Sequence, residues 1–155
     1  MAGVTAIPSA PSDIHAEWSF IAMQYYWLIV NRTFEVFVTR SMICGARVRG
    51  VIASPEGTEP QQHDPQQYVS ARLRRRYDSV NPESSEFLAL DRANFQIPRS
   101  RISSIEFFPR KWGMGGVPYS GRLVLSDPSN SKCELILLGT QDAGLIATRL
   151  REIVA

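Results

Sequence analysis

Two short segments near the C-terminus constrain the fold most. In residues 121–126, Leu123 and Leu125 alternate with Val124. In residues 133–138, Cys133, Leu135 and Leu137 alternate with Ile136 and Leu138. Both faces of both segments are therefore apolar, and such strands need cover on each side. Asp127-Pro128-Ser129-Asn130-Ser131 joins them as a hairpin. A helix follows at once. Ala143, Ile146, Ala147, Leu150, Ile153 and Val154 recur at helical spacing. Thr140 is the expected cap, Asp142 sits in the first turn, and Arg149 and Arg151 lie near the end where cations are favoured. This helix has to lie on the sheet.

The upstream chain supplies more strands. Residues 33–40 put Phe34, Val36 and Val38 on one face. Residues 42–52 put Met42, Cys44, Ala46 and Val48 on one face and Arg47 and Arg49 on the other, which is expected to be wet. Phe87–Leu90 and Phe95–Ile97 read as a hairpin across Asp91-Arg92-Ala93-Asn94. Pro98–Arg101 turns a corner into a strand from Ile102 to Phe108. Two helices are expected as well. Ser12 could cap one whose stripe is Ile14, Trp18, Ile21 and Tyr25, giving way to a strand between Tyr25 and Val30. Residues 53–64 are polar and end in Asp64 as N-cap and Pro65 at the first helical position. That second helix would run to about Ser79, with Val69, Leu73, Tyr77 and Val80 as its apolar stripe.

The 155 residues are 44% hydrophobic and 21% charged, which fits one globular domain over residues 12–155 behind a disordered tail, 1–11. The longest apolar stretch, Trp18 to Val30, contains Ser19 and Gln24 and falls short of the roughly 20 residues of a membrane span. Cys44 and Cys133 sit in apolar strands and read as buried thiols of a reducing compartment. A cytoplasmic protein is expected, one that could also sit peripherally at a membrane.

Seven or so strands, a helical insertion at about 64–80 and an amphipathic last helix predict an α+β, mainly β, chain. The outline resembles the pleckstrin-homology-like superfold, nearest to its bacterial-type and GRAM-like domains. The likeness rests on Phe34-Glu-Val-Phe-Val-Thr-Arg-Ser-Met-Ile-Cys-Gly45, on Asn94-Phe-Gln-Ile-Pro-Arg-Ser-Arg-Ile-Ser-Ser-Ile-Glu106, and on Leu135 to Ala155. It implies a bent antiparallel seven-stranded sheet, a partly open barrel, capped by the C-terminal helix. The last helix lacks the Trp usual in eukaryotic members. Arg40 and Arg47-Val-Arg49 are the nearest match to their phosphoinositide motif, without its Lys.

Catalytic signals are sparse. His15 and His63 have no Cys or His at ligand spacing, so neither a metal site nor a cofactor is expected. Gly113-Met-Gly-Gly116 has no helix after it to aim amides at a phosphate. The cations carry more. Of 17, all but Lys111 and Lys132 are Arg, a choice that suits bidentate anion contacts and that a GC-rich coding sequence also produces. Three groups stand out among them: Arg40, Arg47 and Arg49; Arg72, Arg74, Arg75 and Arg76; and Arg99, Arg101, Arg110 and Lys111. The densest group reads either as an anion-binding face or as a solvated helix face balanced by Asp78, Glu83, Glu86 and Asp91. Trp112, beside Lys111, suits a membrane interface or protein groove, or folds back over the barrel. Trp18, Ile21, Tyr25 and Trp27 serve the core or an interface between copies.

These residues predict a non-catalytic binding module acting through protein contacts, including a homodimer, at residues 109–120 and nearby arginines. Binding to anionic lipid through the Arg-rich surface is the alternative, and a small enzyme built around His15 or His63 is the third. Nucleic acid is not expected as a partner.

Overall fold

The computed structural model describes residues 16–27, 30–49, 64–109 and 119–154. The tail 1–11, Ser12, Ile14, His15, the polar segment to His63, and the loop that carries Arg110, Lys111, Trp112 and the glycines lie outside the described residues.

The described residues are mainly β, with few helices. The strands are β1 (Ala16–Trp27), β2 (Val30–Thr39), β3 (Met42–Arg49), β4 (Phe95–Pro98), β5 (Ser104–Pro109), β6 (Tyr119–Ser126) and β7 (Lys132–Leu138). They form one antiparallel sheet in the order β4-β3-β2-β1-β7-β6-β5. The sheet bends without closing. The helices are α1 (Ala71–Arg74), α2 (Ser85–Leu90) and the C-terminal α3 (Ala143–Val154), with 3₁₀ turns at Pro65–Tyr68, Arg75–Tyr77 and Arg99–Arg101.

The first expected helix is instead β1. Phe20, Ile21, Ala22 and Met23 are buried in succession, which a strand with two covered faces achieves and a one-striped surface helix does not. The supposed stripe divides accordingly: Trp18 packs with Phe20 and Ala22, while Ile21 joins the opposite cluster and Tyr25 is half exposed. The second expected helix is broken into short pieces. Its cap forms as read, with Asp64 Oδ1 accepting from Gln66 N at 2.9 Å. Then Ser70 N donates to Val48 O at 2.8 Å, tying the chain to β3. Tyr68 and Tyr77 bury in different clusters, which one straight helix could not reach together. Phe87–Leu90 is helix α2 rather than a hairpin strand, because Ser84 Oγ accepts from Phe87 N and starts a turn. The cap of α3 is Asp142 rather than Thr140: its Oδ1 accepts from Leu145 N at 2.9 Å.

Among the described residues, three apolar clusters fill the fold. The main one lies on the inner face, where α3 packs: Phe20, Ala22, Phe34, Val36, Val38, Ile43, Leu123, Leu135 and Leu137 meet Ala143, Ala147 and Leu150. On the outer face, Phe37, Cys44, Ala46 and Val48 are covered by Tyr77, Val80 and Phe87 of the insertion. Ile21, Met23, Ile136 and Leu138 are covered by Tyr68. So β3 is covered on both faces, and Arg47 and Arg49 are partly buried instead of forming a fully wet face.

Two glycines permit close approaches. A side chain at Gly45 would place its Cβ 2.1 Å from the Phe95 ring, which packs on Phe34 with 5.4 Å between centroids. At Gly121 a Cβ would stand 2.6 Å from Phe107 and 3.0 Å from Ala143, where α3 meets the sheet.

Candidate functional site

The inner face of β2 runs Val38, Val36, Phe34, and the next residue in that period is Arg32. Arg32 lies opposite Gln24 of β1, just as Phe34 lies opposite Ala22. On β3, Arg47 stands opposite Phe34. The inner face therefore changes from apolar to cationic at this end of β1, β2 and β3. A cleft of about 370 Å³ opens there, lined by Arg32, Arg47, Arg92 and Asp91 with Ala89, Leu90 and Ala93.

The cleft is held from below by a buried polar network. Arg47 Nε and Nη2 reach Asp91 Oδ2 at 2.7 and 2.6 Å. Asp91 Oδ1 accepts from Ala93 N at 2.9 Å, which shapes the turn that presents Arg92. Asn94 Oδ1 accepts from Arg47 N at 2.8 Å and from Tyr77 Oη at 3.1 Å, while Asn94 Nδ2 donates to Phe87 O at 2.8 Å. Tyr77 Oη also reaches Arg47 O at 3.1 Å. Burial pushes the Tyr77 hydroxyl above its usual range, so it stays a donor. Arg76 donates to Leu90 O at the same corner. Three guanidinium groups and one carboxylate line the cleft, and guanidinium groups suit charge-assisted hydrogen bonds to oxyanions.

The sequence-predicted arginines have divided roles. Arg47 is in the cleft. Arg49 Nη1 donates to Gln67 O at 3.1 Å and fastens the insertion. Arg74 pairs with the buried Glu35, reaches Asp78 at 2.9 Å, and lies 5.4 Å from the centre of the Phe37 ring. Arg72 and Arg75 are exposed, and their side chains make no hydrogen bond or ion pair among the described residues. The run Arg72–Arg76 is thus no single patch: Arg74 and Arg76 are structural. Elsewhere, Arg99 pairs with Glu17 at 2.9 Å. Arg32 and Arg92 were missed. Extending the Phe34, Val36, Val38 alternation back by one step finds Arg32, whereas Arg92 sits in a turn that carries no such signal.

The thiols lie apart from this cleft. Burial pushes Cys44 up to about 12 and Cys133 up to about 11, so both remain protonated at neutral pH. Among the described residues no three His, Cys, Asp or Glu side chains come together to hold a metal ion. None of their helices is long and apolar enough to cross a membrane. No protein-family model matches the chain, and no curated protein or solved structure does either.

Proposed function

We propose that this chain is a non-catalytic binding module of pleckstrin-homology-like architecture that docks a phosphate-type dianion in the Arg32–Arg47–Arg92 cleft, carried on the headgroup of an anionic membrane lipid. The observation that carries the reading is a cleft lined by three guanidinium groups, in which Arg47 is held in place by Asp91 and Asn94. A preset guanidinium loses little freedom when it binds an oxyanion. The antiparallel order β4-β3-β2-β1-β7-β6-β5 with a C-terminal helix on the inner face supports the architectural half. In this reading the protein works in the cytoplasm, peripherally at a membrane.

Co-sedimentation with phosphatidylcholine vesicles, with and without an anionic phosphorylated lipid, tests it. Binding is expected only to the anionic vesicles, and it should weaken steeply from low to physiological salt. The double variant Arg32→Gln, Arg92→Gln should lose most of it. Binding of inorganic phosphate without vesicle binding would assign the cleft to a soluble phosphate ester. No binding of either, at either salt, would sink the reading.

A further inference from the structure

β4 pairs with β3 at four positions, Met42↔Pro98, Ile43↔Ile97, Cys44↔Gln96 and Gly45↔Phe95. β3 itself runs on to Arg49. Continued in the same register, the residue facing Arg47 is Ala93. The Ala93 N–H donates to Asp91 Oδ1 at 2.9 Å instead, in the turn that presents Arg92. The strand partner is therefore lost at the residue whose side chain lines the cleft.

Two side chains take its place. Asn94 Oδ1 accepts from Arg47 N at 2.8 Å, as a strand carbonyl does. Tyr77 Oη lies 3.1 Å from Arg47 O, where a strand N–H stands in a regular ladder. The same hydroxyl lies 3.1 Å from Asn94 Oδ1, so one proton serves two acceptors. Both side chains are buried, and a buried main chain requires such partners. Each is anchored in turn at α2. Asn94 Nδ2 donates to Phe87 O at 2.8 Å, and the Tyr77 ring packs on the Phe87 ring with 5.5 Å between centroids. On this side Arg47 is gripped at its N–H, its carbonyl and its guanidinium, by Asn94, Tyr77 and Asp91.

We propose that Tyr77 and Asn94 are positioning residues of the anion cleft: they continue the β3 ladder past the end of β4 and fix the backbone from which Arg47 projects. The cleft is then set by the outer insertion as well as by the sheet. This rests on the anion-binding reading above. Its structural half, that Tyr77 orders Arg47, is open to test without a ligand.

Tyr77→Phe keeps the ring against Phe87 and removes only the hydroxyl. Val80→Ala is the control, since it loosens the same apolar cluster at a side chain with no polar atom. The first readout is the Arg47 backbone and Nε–H signals in nuclear magnetic resonance spectra of the full chain without ligand. Tyr77→Phe should shift both and broaden the Nε–H signal, and Val80→Ala should leave them in place. The second readout is titration with inorganic phosphate and with phosphatidylcholine vesicles carrying phosphatidic acid. Tyr77→Phe should weaken binding about fivefold, on the order of one hydrogen bond, with Val80→Ala equal to the parent chain. Unmoved Arg47 signals in Tyr77→Phe overturn the proposal, and so does equal weakening of binding by the two variants. Shifted signals in a chain that binds neither phosphate nor vesicles would uphold Tyr77 as the group that orders Arg47 and sink the anion reading alone.

Discussion

The two ends of the bent sheet are built from the same strands and differ in what their inner face meets. Near the start of β1, α3 covers the sheet. Arg149 lies 4.5 Å from the centre of the Trp18 ring, Arg151 Nε donates to Ile105 O at 3.1 Å, and Leu150 is fully buried. At the other end of β1, beside Gln24, the inner face carries Arg32 and Arg47, and a turn brings Arg92 to them. One end spends its side chains on stability. The other holds charge in a fixed arrangement, which costs stability unless a counter-charge is present. Asp91 is that partner for Arg47.

If this contrast is right, changes at the covered end should act on folding and changes at the cationic end on binding. Leu150→Ala should cost about 2–5 kcal/mol in urea unfolding, the range for a fully buried Leu. Gly121→Ala should cost about 1–3 kcal/mol, because the new Cβ meets Phe107 and Ala143 and pushes α3 off the sheet. Arg47→Gln tests the boundary between the two ends. It leaves the Asp91 carboxylate, 11% exposed, without its guanidinium, and a loss of about 1–3 kcal/mol is expected together with loss of anion binding. A loss of binding with no change in stability would mean that Asp91 is not held by this pair.

Alkaline pH adds a test of the buried layer. Cys44 and Cys133 are raised from 9.0 to about 12 and about 11 by burial. Between pH 9 and 11 the unfolded thiols lose protons that the folded ones keep, so stability should fall as pH rises through that window. A double Cys44→Ala, Cys133→Ala variant should show a shallower fall in urea midpoint from pH 8.5 to 10.5. The smallest effect belongs to Arg72→Ala and Arg75→Ala. Each should shift stability by less than about 0.5 kcal/mol, since both side chains are exposed. A larger shift would show that this pair belongs with Arg74 in the fold.

Period-two patterns were the most readable part of the chain. Phe34, Val36 and Val38 predicted β2, and the two-sided apolar hairpin predicted that β6 and β7 need cover on both faces. Ile136 and Leu138 find it under Tyr68, and Leu135 and Leu137 against the inner core. The readings that failed involve short apolar runs. Phe87-Leu-Ala-Leu90 suits a strand or a helix equally by pattern, and the Ser84 cap decided for α2. Trp18, Ile21 and Tyr25 match a helix by spacing, yet burial on two faces made β1 a strand.

By itself the sequence determined that this chain builds a mainly β sheet with an amphipathic helix laid on it, because alternation and helical spacing are local properties that backbone geometry enforces. It also placed cations in clusters. Tertiary structure alone decided where each of them sits. Arg74 was drawn to a buried Glu35 from β2, and Arg47 was fixed by Asp91. Arg32 and Arg92, far apart in the chain, were brought to one cleft. Charge pairing depends on distance in space, and a linear pattern holds no record of it.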